Sequence, residues 1–378
     1  MKLKNVAAAG ALALATALAL SACGGNSDTG SGSKDTKSPA ATTATVDSSL
    51  TGQITAGGSS AQANAQQAWT TAFTAQATGV KINYDKSQGS GGGRTNWLGG
   101  SYDFAGTDSA LSSDEFTKAK TTCGPDGGLN IPVYLSGVSV IFNVQGVDKL
   151  NLSASVIAKI FSGKITTWND PAIAALNSGV TLPSAKIASV HRADGSGTTN
   201  NFTDYLHQVA PSDWTNEPSN NWPFAQVGSG QQGGSGVVTA VAQTANSIGY
   251  ADQSSINGAH QASIQAGTSG SDFVAYSADG ATKAFDEAAQ DAAQGDGDLT
   301  KKLDYTKITG TDAYPIPLLS YDVVCKTFKD STQGKLTAAY LGYIGSSQGQ
   351  QIAAKNAGAA PLPDSVVSEI AKTVALIK

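Results

Sequence analysis

His191-Arg192-Ala193-Asp194-Gly195-Ser196-Gly197-Thr198-Thr199 runs directly into Asn200-Asn201-Phe202-Thr203-Asp204-Tyr205-Leu206-His207-Gln208-Val209. Apolar residues recur at Phe202, Leu206 and Val209, the spacing of one helix face, and the residues ahead of them are small and polar. A helix is therefore expected to start near Thr198. The first N–H groups of a helix have no partners within it and sit at the positive end of its macrodipole, so such a start attracts anions. Ser196 and Thr198 add hydroxyl donors, and Arg192 adds a planar fork of N–H groups suited to an oxyanion. An ordinary capped helix after a turn is the plainer reading; the combination Arg-x-Asp-Gly-Ser-Gly-Thr favours an oxyanion site.

The chain before this motif alternates strands and helices. Thr51-Gly52-Gln53-Ile54-Thr55-Ala56 reads as a strand, Gly57-Gly58-Ser59-Ser60 as a loop, and 61–76 as a helix with Ala65, Trp69, Ala72 and Phe73 on one face. A strand over 80–84 follows, then a second loop, Gly89-Ser90-Gly91-Gly92-Gly93, and a short helix over 94–98. Tyr102-Asp103-Phe104-Ala105-Gly106-Thr107-Asp108 reads as another strand ending in a turn. Such alternation gives a mostly parallel α/β sheet, in which ligands sit beyond the carboxyl ends of strands. Ser59, Ser60, Ser90 and Asp108 fall at such ends. Each loop alone reads as a turn; their recurrence in one topological place points to a shared site. The apolar run 131–143 reads as a buried strand able to cross between domains, followed by a helix over 153–161 and a strand over 186–190.

Two further motifs carry alternative chemistries. Gly228-Ser229-Gly230-Gln231-Gln232-Gly233 matches the dinucleotide fingerprint G-x-G-x-x-G after a possible strand, 224–227, with Asp252 about twenty residues on in the place of a ribose-binding acid. A nicotinamide cofactor does not suit an exported protein, and glycine-rich helix starts have many other uses. Gly345-Ser346-Ser347-Gln348-Gly349 matches the nucleophile elbow G-x-S-x-G, but it lies between helix-like segments and no histidine follows it, so the order Ser, acid, His cannot be completed. A turn between two helices is expected there.

The amino terminus places the protein. Lys2 and Lys4 precede an Ala/Leu run from Val6 to Leu20, then Leu20-Ser21-Ala22-Cys23. A membrane-spanning helix needs about 20 apolar residues, so this shorter run reads as an export signal over 1–23. Its last four residues are similar to a bacterial lipobox, which makes Cys23 the expected lipidation site. Residues 24–49 are Gly, Ser, Thr, Ala, Asp and Lys with almost nothing to bury, the composition of a disordered tether. Net charge is −5 with only 14% charged residues, which supplies no basic field for nucleic acid, so an anion must be held by local donors. Three histidines without a Cys/His cluster give no metal site, and no cofactor is expected. Cys123 and Cys325 remain after Cys23, and an exported protein can keep a disulfide between them.

Taken together, Gly163-Lys164-Ile165, Trp168-Asn169-Asp170, Leu182-Pro183-Ser184 and Arg192-Ala193-Asp194-Gly195-Ser196-Gly197-Thr198 resemble the phosphate-binding proteins of bacterial high-affinity ABC phosphate uptake systems. Weaker matches over 57–111, 247–250, 312–317 and 362–367 extend the resemblance across most of the mature body. It implies a phosphate site made of Arg192, Ser196, Gly197 and Thr198 on one side and Ser59, Ser60, Ser90 and Asp108 on the other, with Asp194 orienting the arginine. Many relatives have Thr-Phe where this chain has Ser59-Ser60, which leaves the side-chain role of Ser60 the weakest of the set. The expected fold is α/β and periplasmic-binding-protein-like (type II), with the ligand in the cleft between two domains. One domain comprises 50–135 plus 317–378, the other 136–316, hinged near Leu135-Ser136 and Pro317-Leu318. The expected task is capture of inorganic phosphate, not catalysis, by a monomer tethered through a lipid anchor to the outer face of the cell membrane. Delivery would be to an ABC permease and ATPase complex. The alternatives are another tetrahedral oxyanion (sulfate, molybdate or a phosphonate), an extracytoplasmic phosphohydrolase, and an added adhesion or scaffold role.

Overall fold

The computed structural model describes residues 45–268 and 270–378. The signal segment, Cys23 and most of the tether lie outside the described residues. Nine strands form the main sheet: β1 Thr51–Gly58, β2 Gly79–Asp85, β3 Phe104–Thr107, β4 Gly128–Asn143, β5 Ala188–Arg192, β6 Ser229–Gln231, β7 Ser247–Asp252, β8 His260–Gln261 and β9 Pro317–Cys325. Their order is β2-β1-β3-β9-β4-β7-β5-β6, with β8 also pairing with β4. The outer strands pair in parallel, β1 with β2 and β3 on one wing and β5 with β6 and β7 on the other. The middle is antiparallel, where β9 pairs with β3 and β4, and β4 with β7.

β4 joins the wings. Its 16 residues are buried up to Phe142, because helices and neighbouring strands cover both of its faces. Residues 128–137 pair with β9, and Val138 to Asn143 pair with β7, so the strand changes partners between Gly137 and Val138. β9 enters the sheet at that level, with Pro317 opposite Gly137.

Helices pack on the wings as the apolar spacing dictates. α1, Ala63–Thr74, buries Ala65, Trp69 and Phe73. α2, Gly89–Leu98, takes in the whole segment expected as a Gly/Ser loop. Glycine costs a helix roughly 1 kcal/mol per residue, so local propensity argued against this; close packing overrides it. A Cβ on Gly93 would lie 2.5 Å from Gly58 Cα, and only a glycine-lined helix fits against β1 there. α3, Gly197–Val209, starts one residue earlier than expected, with Ser196 as its cap. α4, Gly233–Gln243, follows β6. The strand expected over 224–227 is absent; the extended residues are Ser229–Gln231, within the glycine motif itself. Cys123 and Cys325 form a disulfide with Cα atoms 5.1 Å apart, joining the helix Ser113–Cys123 to the end of β9. Ser347 opens the helix Ser347–Ala357 directly after Ser331–Gly345, the expected turn between helices. Among the described residues no helix is long and apolar enough to cross a membrane.

Candidate functional site

The end of β5 and the start of α3 form a set of donors. Arg192 is 2% exposed, and its guanidinium grips Asp194 with Nε on Oδ1 at 2.7 Å and Nη2 on Oδ2. This fork spends two of five N–H donors and fixes the plane of the rest. Burial alone would raise the Asp194 carboxyl, but the bonds and charge of Arg192, with the Gly233 N–H at 3.1 Å, hold it below the ordinary carboxylate range. Ser196 Oγ caps α3 by accepting from Thr199 N–H at 3.1 Å, so its own hydrogen remains to be donated. The N–H groups of Gly197 and Thr198 belong to the first turn, where no helical carbonyl can reach them.

Aromatic packing locks this set in place. Phe202 stacks on Tyr250 with ring centroids 4.3 Å apart, and Phe161 meets both edge-on. Tyr250 Oη pairs with Thr199 Oγ1 at 2.7 Å and accepts from Arg192 N–H at 3.4 Å. Burial pushes the Tyr250 phenol up to about 12, so it stays a neutral partner at physiological pH.

Asp108 follows β3 and is the centre of the facing set. Its Oδ1 accepts from Ser59 Oγ and from Ser320 Oγ at 2.7 Å; its Oδ2 accepts from Thr198 Oγ1 at 3.2 Å. Ser90 Oγ accepts from Asp108 N–H at 3.1 Å, and the Asp108 carbonyl accepts from Asn201 Nδ2 at 2.5 Å. The two sets touch. A Cβ on Gly197 would lie 2.6 Å from Ser90 Oγ and 2.7 Å from Asp108 Cβ, and Gly91 N–H donates to the Gly195 carbonyl at 2.8 Å. Thus Ser59, Ser90, Asp108, Ser196, Gly197 and Thr198 converge, with Arg192 and Asp194 beside them at the end of β5.

Ser60 stands apart. Its hydroxyl turns toward α4 and accepts from Gly234 N–H at 3.3 Å. The same contact bears on the dinucleotide alternative: the first N–H groups of α4 are spent on Asp194 and Ser60, and Asp252 caps residues 253–255 while accepting from Tyr134 Oη at 3.0 Å.

Four residues of the site escaped the sequence reading. Ser320 and Asn201 bond Asp108 directly, and Gln62 donates to Ser320 Oγ at 2.8 Å. Arg94 is 8% exposed and donates to Glu115, Thr107 and Ser109. It lines a cavity of about 300 Å³ that reaches Asp108 from the side of Asn201 and Tyr305. No group of three or more metal-ligating side chains gathers among the described residues.

The PBP superfamily domain matches residues 38–348. The chain is 35% identical over 319 residues to the phosphate-binding protein PstS 3 of Mycobacterium leprae, covering 84% of this chain and 85% of that one. It is 35% identical over 376 residues to the protein of the same name from Mycobacterium tuberculosis strain H37Rv, covering 99% of both. Among solved structures, the periplasmic phosphate-binding protein PfluDING superposes with a TM-score of 0.68 at 22% identity, covering 84% of this chain and 93% of that one, which establishes the two-domain α/β fold. The chain belongs to the PBP superfamily and, within it, to the family of PstS phosphate-binding proteins.

Proposed function

We propose that this protein captures inorganic phosphate between its two lobes and hands it to an ABC permease and ATPase complex. The observation that carries this is the convergence of the Arg192–Asp194 pair and the start of α3 with a single facing carboxylate, Asp108. Phosphate at neutral pH always keeps at least one proton. It can accept from Arg192, Ser196, Gly197, Thr198, Ser90 and the Ser60 N–H, and it can donate to Asp108; the Ser59 N–H is spent on the Gly106 carbonyl at 2.7 Å and its hydroxyl on Asp108, so Ser59 acts through Asp108. Sulfate carries no proton, so against the same carboxylate it leaves an acceptor facing an acceptor. An unmade bond to a buried charge typically costs about 2–5 kcal/mol, enough to separate two tetrahedral anions of equal size. The relatives are named as binding proteins, and the site offers this chain the same non-catalytic task.

The topology supports closure. The lobes comprise 50–135 plus 317–378 and 136–316, and the chain crosses between them where β4 changes partners and where β9 begins. A third tie accompanies these crossings: the turn between Ala289–Asp291 and Lys301–Leu303 reaches back, with Asp298 accepting from Asn130 N–H at 2.9 Å. That turn, although it lies within 136–316, is expected to move with the first lobe during closure. Acylation at Cys23, followed by the polar tether, holds the monomer at the outer face of the membrane; mass spectrometry of the amino-terminal peptide tests this. Calorimetry of ligand-stripped protein with phosphate and then sulfate tests the central reading. Tight phosphate binding with weak sulfate binding is expected; equal affinities would remove the role of Asp108, and no phosphate binding would remove the function. Small-angle scattering is expected to give a smaller radius of gyration once phosphate is added.

A further inference from the structure

The buried polar groups behind Asp108 all point one way. Gln62 Nε2 donates to the Tyr321 carbonyl at 2.9 Å and to Ser320 Oγ at 2.8 Å. A carbonyl only accepts, so the orientation of the Gln62 amide is fixed and both of its hydrogens are spent. Gln62 Oε1 accepts from Gln66 Nε2 at 2.9 Å, and Gln66 Oε1 accepts from Tyr340 Oη at 2.9 Å. Ser320 already accepts from Gln62, so its hydrogen goes to Asp108 Oδ1 at 2.7 Å. Ser59 is fixed in the same manner from the other side. The N–H groups of Ala61 and Gln62, which only donate, point at its Oγ from 3.1 and 3.3 Å, so its hydrogen also goes to Asp108 Oδ1.

Two hydroxyl donors therefore meet on one carboxylate oxygen, and backbone groups that cannot reverse their roles set both directions. A proton on Oδ1 would face both hydroxyl hydrogens. We propose that Ser320, oriented by Gln62, is a specificity-determining positioning residue that pins Asp108 through Oδ1 and leaves Oδ2, which carries Thr198 at 3.2 Å, turned to take the ligand's proton. This deepens the phosphate reading and rests on it. With two hydroxyls committed to Oδ1 the carboxylate is pinned on both sides and Oδ2 is the oxygen turned to the ligand. Without Ser320 the carboxylate is held by Ser59 alone and can turn, so a proton-free anion no longer meets a fixed acceptor. Its place in β9, opposite β3 in the sheet, carries it to Asp108 across 212 residues of chain.

The test is calorimetry of ligand-stripped wild type, Ser320→Ala, Ser320→Thr and Gln62→Met with inorganic phosphate and with sulfate, each variant checked for folding by thermal melting. In Ser320→Ala, phosphate affinity is expected to fall about tenfold while sulfate affinity holds or rises, so the phosphate-to-sulfate ratio narrows at least that much. Gln62→Met should move the ratio in the same direction by less, and Ser320→Thr, which keeps the hydroxyl, should restore it. A ratio within about twofold of wild type in Ser320→Ala, or an equal loss for both anions, would overturn the positioning role. Wild type that fails to prefer phosphate would instead overturn the underlying reading, an outcome the variants do not produce.

Discussion

The two faces of the site solve opposite problems. The side built on β5 and α3 presents hydrogens: an arginine fork held by Asp194, an unspent Ser196 hydroxyl hydrogen, and first-turn N–H groups that the helix cannot satisfy. The side built on β1, β3 and β9 gathers hydrogens onto itself. Ser59 and Ser320 both donate to Asp108, and Gln62, Gln66 and Tyr340 line up behind Ser320. Donors suit any tetrahedral oxyanion and supply affinity. On the proposed phosphate reading, a fixed acceptor selects among them, so affinity and selectivity should respond to different substitutions.

Arg192→Ala should have the largest effect. It removes the fork and strands the buried Asp194 carboxylate, a loss of about 3–5 kcal/mol typical of breaking a buried pair, seen as near-complete loss of phosphate binding in calorimetry. Sulfate binding should fall with it, since both anions use the same donors. If phosphate alone were lost, the division between lobes would be wrong.

Asp108→Asn should come next, and differently. The amide presents hydrogens where the carboxylate accepted, so phosphate weakens and sulfate strengthens, a change in their ratio of about 2–4 kcal/mol. A ratio left unchanged in competition calorimetry would remove Asp108 as the discriminating group.

The contrast also separates what the sequence displays from what it hides. The donor face is contiguous: the residues from Arg192 to Thr199 sit at one strand-to-helix junction, so residue types and helical spacing reveal it before any fold is known. The acceptor face is assembled from distant segments. Ser59, Ser90 and Asp108 are legible only as a recurrence of small polar residues after strands, and the resemblance to a known family joined them. Ser320 is a lone serine in the apolar run of β9, brought beside Asp108 by antiparallel pairing with β3, and nothing local marks it. Gly89–Leu98 is a helix where residue types predict a loop, because glycine's weak propensity gives way to the close approach of α2 to β1.

The backing of the acceptor face carries a pH signature of intermediate size. Asp322 is buried beside Gln66, and desolvation pushes its carboxyl up to about 7. At pH below about 4 the folded and unfolded chains both hold this proton. Between there and neutrality only the folded chain keeps it, so stability falls as pH rises, and the loss is complete above the folded value. Asp322→Asn removes this dependence. Relative to wild type it should gain on the order of 2 kcal/mol between pH 5 and pH 8, measured by urea unfolding at both pH values. A constant difference between the two proteins would mean that Asp322 ionises normally in the fold.

Ser60→Ala should have the smallest effect and probes the edge of the comparison. The Ser60 hydroxyl faces α4, where it accepts from Gly234 N–H at 3.3 Å, so its removal costs one long, part-buried bond rather than a ligand contact. Phosphate affinity is expected to change by less than about threefold, within the range of one weak neutral hydrogen bond, with the phosphate-to-sulfate ratio untouched. Any loss should come from a slightly less favoured closed state, so both anions weaken together. A drop beyond tenfold for phosphate would place the Ser60 hydroxyl on the ligand, and the lobe that holds Asp108 would then be a donor face as well.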